Sequence, residues 1–132
     1  VLQIVVGEDA FSFIEIIKRL QAGACIALLI DRPRAQTGVT VELCGRPFQA
    51  SIAAAELARA SGCAILPVYI VNEAGSYTAR MLTEIPYDRA AIGNRPARIQ
   101  LTQEILRALE PAIRQHADQW YHFVPVWPST KP

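Results

Sequence analysis

The sequence predicts an α/β fold: a mixed, mostly parallel sheet with flanking helices. Three observations carry that expectation. Residues 1–6 (VLQIVV) and 25–30 (CIALLI) are short apolar runs, the second continuous enough for a strand covered on both faces. Between them Phe11, Ile14, Ile17 and Leu20 recur at helical spacing. Strand, helix and strand in that order make a right-handed crossover between parallel strands.

The remaining elements follow along the chain. Gly7 closes the first strand, Asp9 is a candidate N-cap, and Gly23 ends the helix just past its last turn. Residues 31–38 form a loop containing Arg, Pro and Gln. Val39, Val41 and Leu43 alternate with Thr40 and Glu42, the pattern of a half-exposed strand, and Gly45, Arg46 and Pro47 are read as its end. Ser51 is placed to cap a helix over 52–60, with Gly62 just beyond it. Residues 64–71 (AILPVYIV) read as a second buried strand, in which Pro67 is unusual because proline belongs at edges, strand starts or bulges. Residues 73–76 (EAGS) are a turn, and 77–85 (YTARMLTEI) are the hairpin partner. Residues 86–97 carry Pro, Gly and Asn and read as a loop. An amphipathic helix over 98–109 puts Ile99, Thr102, Ile105, Leu106 and Leu109 on one side. Pro111 is expected to break or kink that helix, or to start a short second one.

A length of 132 residues is enough for a single domain over 1–132 with one core. With 52% hydrophobic and 19% charged residues, the chain is not compositionally disordered. A formal charge of +1 and no lysine-rich block argue against a nucleic-acid partner. Lys18 and Lys131 are the only lysines, so the positive charge is nearly all arginine, the side chain suited to bidentate contact with carboxylate or phosphate. The longest apolar run, 24–30, falls far short of the roughly 20 residues that span a bilayer. The chain opens on a strand-like run with no basic leader, so no signal peptide is expected, and valine in first position suggests an excised fragment. Cys25, Cys44 and Cys63 have no metal-ligand spacing and are odd in number; they read as small buried apolar residues of a reducing compartment. No metal and no cofactor is expected. A catalytic cysteine would want a histidine nearby, and His116 and His122 stand near the far end.

Candidate site residues gather where strands end. In open parallel sheets, ligands collect at the carboxyl ends of strands. Asp31, Arg32 and Arg34 follow one apolar run; Gly45 and Arg46 follow the next and lead to the helix that Ser51 caps. A helix N-terminus offers free N–H groups to an anion, so Arg46 beside it would make a pocket for phosphate or carboxylate. Asp31 would then orient an arginine or hold a ligand hydroxyl. The plainer alternative leaves Arg32 and Arg34 as solvated loop residues and Asp31 as a turn cap. Trp120, Tyr121, Phe123 and Trp127 either form an interfacial patch or pack the tail on the core, with His122 among them as a structural hydrogen-bonder.

Four segments in order, LQAGACIALLIDRP, VELCGRPFQA, AELARASGCAILPVYIV and ALEPAIRQHADQWYHF, resemble the C-terminal half of the bacterial lipid A biosynthesis (lauroyl/myristoyl) acyltransferase family, within the lysophospholipid acyltransferase superfamily. The resemblance runs from about Gly7 onward. It implies part of a glycerolipid-acyltransferase-like fold and transfer of an acyl chain from acyl carrier protein or acyl-CoA to a hydroxyl of a lipid acceptor, at the cytoplasmic face of the bacterial inner membrane. It also implies peripheral membrane contact through the parent protein. In such enzymes a histidine with an acid five positions later is the base and its orienter, and an arginine or backbone amides steady the oxyanion. Here Tyr121 stands five positions after His116 and Trp127 five after His122, so the resemblance implies a fragment whose base lies upstream and which alone is inactive. It matches Asp31 to the family's acid after the buried strand, Arg32 and Pro33 to the residues after it, Gly45, Arg46 and Phe48 to a segment facing the acceptor, and Pro67 to a strand proline. Cys44 stands where the family usually has an aromatic residue, 49–58 lack the usual Pro-Gly-Pro, and Pro111 interrupts a helix that members continue.

Two rival functions compete. One is a non-catalytic α/β module that binds an anionic metabolite at residues 31–34, although no glycine-rich phosphate loop follows any strand. The other is a regulatory or assembly domain that docks a partner protein through the tail aromatics. A strand edge left open by a missing half would also favour homodimer formation.

Overall fold

The computed structural model describes residues 10–33, 36–123 and 125–127. Helix α1 spans Ala10–Gln21, strands β1 and β2 span Gly38–Leu43 and Arg46–Ser51, and helix α2 spans Ala53–Ser61. Strands β3 and β4 span Val68–Glu73 and Ser76–Met81, and helix α3 spans Arg95–Gln115. Single 3₁₀ turns at Ala91–Gly93 and Ala117–Gln119 flank α3. The class is α/β, but the sheets are two separate antiparallel hairpins, β1–β2 and β3–β4.

The expected parallel sheet is therefore not seen among the described residues. Residues 1–6, and with them Gly7 and Asp9, lie outside the described residues. Residues 25–30 run without strand pairing, and Leu28 and Leu29 are 45% and 67% exposed. A strand covered on both faces needs elements on both faces; here a backbone bond from Ser51 N–H to Ile30 C=O at 2.8 Å ties the end of that run to β2. Residues 64–67 are likewise outside the sheet. Pro67 precedes β3, where its missing N–H costs nothing, and its carbonyl accepts from Leu82 at 2.9 Å.

Both hairpins turn in two residues. Cys44 and Gly45 have φ of 54° and 73°, and Ala74 and Gly75 have 51° and 89°, the pairs of positive angles that match strand twist. So Gly45 is the second residue of a turn, and Arg46 and Pro47 begin β2 instead of ending β1. The register places Glu42 opposite Pro47 and Asn72 opposite Tyr77, each one pair away from the pair that flanks its turn. At that position in an antiparallel ladder both residues aim their backbone groups outward. Pro47 thus loses no ladder bond, and Glu42 and Asn72 present free edges. Gln103 closes the first: its amide oxygen accepts from Glu42 N–H at 2.6 Å and its nitrogen donates to Glu42 C=O at 2.9 Å. Gln119 does the same for Asn72, at 2.7 and 3.2 Å. One glutamine amide therefore stands in for a neighbouring strand on each hairpin.

The core lies between the β1–β2 hairpin, α2 and α3. Val39, Val41 and Leu43 point inward beside Phe48 and Ala50 and meet Leu101, Ile105, Leu106 and Leu109 of α3, with Ala55 and Ala58 of α2. Helix α1 ends as expected: Gly23 takes φ +87°, its N–H reaches Leu20 C=O, and Ala24 N–H reaches Arg19 C=O. Helix α2 has Ile52, not Ser51, at its N-cap and no side-chain cap; Ser51 Oγ accepts from Ala53 N–H at 3.3 Å from one position further out, and the helix ends on left-handed Gly62. Its last carbonyls, Arg59 and Ala60, accept from the Arg89 guanidinium at 2.8 and 2.7 Å, and Tyr87 Oη donates to Cys63 C=O at 2.6 Å.

Helix α3 is longer than expected at both ends. Asn94 caps it by accepting from Ala97 N–H at 2.8 Å. Arg98 fixes its first turn, donating to Glu56 of α2 at 2.9 Å and to the carbonyls of Ile92 and Gly93 at 3.0 and 2.9 Å. The helix then runs through Pro111. Proline leaves the Arg107 carbonyl without its usual helical donor; both residues lie on the exposed side, where water supplies one. Of the cysteines, none is disulfide-bonded, Cys25 is exposed and the other two are half-buried, so the expected buried role does not hold.

Two stability predictions follow from these ties. Gln103→Ala, which removes the partner of two part-buried backbone groups of Glu42, should cost about 1–2 kcal/mol in a urea titration. Glu110 accepts from Arg114 and from the Cys44 N–H of the first turn, and both, Arg114 foremost, hold its carboxyl below the usual glutamate range. A lowered carboxyl stabilises the fold above its unfolded value near 4.3. Glu110→Gln should therefore destabilise at pH 7, and the gap to the natural protein should close as pH falls below about 4.

Candidate functional site

Strand β2 sets the geometry of the site. Its alternation puts Phe48, 5% exposed, and Arg46 on one face and Pro47 on the other; Arg46, at the start of the strand, is exposed beyond the core. The tail returns over Phe48: its ring lies 6.0 Å from Trp120 and 6.5 Å from Trp127, both tilted. Each indole N–H finds an acceptor, as a half-buried tryptophan requires. Trp127 Nε1 donates to Pro47 C=O at 2.9 Å, the carbonyl that the register turned outward. Trp120 Nε1 donates to Asp31 Oδ2 at 2.8 Å.

Around these contacts a continuous ridge forms. Arg46 lays its guanidinium over the Trp127 ring, 4.9 Å from the centroid. At the other end His122 meets Trp120 edge-on at 4.5 Å, and its Nε2 lies 3.3 Å from Asp31 Oδ2, outside hydrogen-bond alignment. Arg32 donates to the Tyr121 carbonyl. The order along the ridge is Asp31, Trp120, Phe48, Trp127, Arg46, with His122 and Arg32 beside Asp31.

The structure thus places Asp31, Arg32, Arg46 and Phe48 along one ridge of aromatic contacts. Gly45 lies at the exposed apex of the β1–β2 turn, and Arg34 lies outside the described residues. Arg46 is not beside the α2 N-terminus: β2 separates them by roughly 17 Å at about 3.3 Å per residue. The misread turn produced that error, because a strand end at Pro47 would have brought Arg46 to the helix. Sequence reasoning missed Trp120 and Trp127 as the link between the site residues. Their only signal is aromatic composition, since Trp120 and Asp31 are 89 positions apart. His122 has no hydrogen bond at its buried Nε2 among the described residues, so it is not the simple hydrogen-bonder expected. The tail aromatics divide. Trp120 and Trp127 lie against the core, whereas Tyr121 and Phe123 are 67% and 91% exposed.

A family model for the bacterial lipid A biosynthesis acyltransferases matches residues 3–129. The chain belongs to that family. A comparison with curated proteins finds no match. Membership accounts for the α/β class and for acyltransferase activity in general, with an acyl donor and a lipid acceptor as the substrate classes. Among the described residues, no helix of this family member is long and apolar enough to cross a membrane.

One prediction concerns the ridge itself. Phe48→Ala should cost about 3–4 kcal/mol, because the cavity opens under both indoles. The fluorescence of Trp120 and Trp127 should shift to the red as they gain water.

Proposed function

We propose that this chain forms the acceptor-side wall of an acyl-transfer site in a longer, membrane-associated lipid A acyltransferase. An acyl chain moves from the thioester of acyl carrier protein or acyl-CoA to a hydroxyl of the lipid acceptor. The hydroxyl oxygen attacks the thioester carbonyl, its proton passes to a base, and the thiolate leaves as the tetrahedral oxyanion collapses. Family membership supports the reaction class. The observation that carries the assignment to this surface is the anchoring of Asp31: Oδ2 is held by Trp120, and Oδ1 has no bond among the described residues. A half-buried carboxylate fixed at one oxygen suits the other to accept from a hydroxyl.

The two exposed aromatics support the lipid side of this reading. Tyr121 and Phe123 are exposed on either side of His122, whose ring lies against the Asp31 carboxylate. At a membrane surface such side chains enter the interface readily. Arg46, with one face on Trp127, keeps its guanidinium edge for an anionic group of the acceptor. The base comes from elsewhere in the natural protein, because neither histidine of this chain has an acid five positions on. The cytoplasmic face of the inner membrane is the location this reading assigns, where thioester donors are made.

The test is Asp31→Asn in the natural protein, assayed with lauroyl-acyl carrier protein or lauroyl-CoA and a lipid A precursor. The expected outcome is a loss of about 100-fold or more in kcat/KM with an unchanged melting temperature. Full activity of the variant would overturn the assignment of this surface. Thioester turnover by the 132-residue chain alone would overturn the claim that its base lies elsewhere.

A further inference from the structure

We propose that Trp120 and His122 are positioning residues that act through Asp31, pinning Oδ2 so that Oδ1 faces the acceptor hydroxyl. The inference rests on the reading of Asp31 given above. Two different groups converge on one carboxylate oxygen: the Trp120 indole N–H at 2.8 Å and His122 Nε2 at 3.3 Å. Both side chains are only partly exposed, with His122 at 16% and Asp31 at 19%, so the contact is poorly screened by water.

The geometry argues that these contacts do more than fill space. A tryptophan serving only as packing would lie over Phe48 with its N–H toward water or a carbonyl, as Trp127 does with Pro47. Trp120 instead turns its N–H to the one acidic side chain of the loop. A histidine serving only as packing would keep its nitrogens in water. Nε2 of His122 is buried 3.3 Å from Asp31 Oδ2 and makes no hydrogen bond among the described residues. Protonated or as the Nε2–H tautomer, the ring offers Oδ2 a second donor after a small rotation. Arg32 lies on the same loop, and its bond to the Tyr121 carbonyl holds the segment that carries both side chains. The Trp120 bond thus holds the carboxylate against rotation, and His122 stands beside the same oxygen as a second donor within reach. A carboxylate able to spin would present either oxygen, or neither, to a hydroxyl.

The experiment is a set of cycles in the natural protein, with kcat/KM for lauroyl transfer and melting temperature read together. Trp120→Phe keeps a ring on Phe48 and removes only the donor. It should lower kcat/KM by about 10-fold, the scale of a hydrogen bond to a charged group, with little change in melting temperature. His122→Phe should lose by a similar factor, and His122→Gln, which restores a donor, should recover most of it. A packing role gives the reverse order, Phe tolerated and Gln not. In an Asp31→Asn background neither substitution should cause further loss, because the group they hold is gone. Additive losses, or Phe superior to Gln at position 122, would overturn the inference while leaving Asp31 in the site. Full activity of Asp31→Asn itself would instead remove the reading beneath it.

Discussion

Glu42 offers its backbone N–H and C=O outward, and Gln103 takes both. Much else depends on that pair of bonds. The Cys44–Gly45 turn fixes which residues face outward, and the register then leaves Glu42 with two polar groups at an edge. Gln103, 9% exposed on α3, satisfies them and locks the hairpin to the helix. With β1 held, Val41 and Phe48 must face the core, and Phe48 becomes the floor on which the tail lies. The same turn exposes the Pro47 carbonyl that receives Trp127. A slip of one residue would reverse every one of these orientations.

The site therefore inherits its shape from backbone accounting. Asp31 and Arg46 sit in different loops and strands, yet both are tethered to one tail through indole rings that share Phe48. Tail residues that do not touch Phe48, such as Tyr121 and Phe123, project outward. The tail thus serves two purposes at once: it closes the core and presents an aromatic surface next to a carboxylate.

The sequence showed local features well and long-range ones poorly. Val39, Val41 and Leu43 declared β1 by alternation, Gly23 and Gly62 ended their helices, and the turn at Ala74–Gly75 was plain from its glycine. The matching turn at Cys44–Gly45 was missed because cysteine is an unusual residue at positive φ; the inward pair Phe48 and Ala50 after it would have marked the returning strand. The apolar run at 25–30 looked buried because composition cannot say whether both faces will find cover. Pro111 looked like a break because its neighbours' exposure is a property of the fold. Gln103 and Gln119 carry no pattern at all, since their role appears only when a strand edge arrives beside them. Asp31 stood out in the sequence as an acid after an apolar run, although that run is not a strand here, and the family resemblance rested on the same segment; its partner Trp120 could be found only in three dimensions.

The central claim is that the tail grips Asp31 through the Trp120 indole. Hydrogen exchange of the indole N–H groups, followed by NMR with nitrogen-labelled tryptophan and assigned by single substitutions, tests it most directly. The account predicts slow exchange at both Trp120 and Trp127, with the Trp120 signal alone moving when Asp31 loses its charge. Fast exchange at Trp120, or a Trp120 signal indifferent to Asp31, would contradict it.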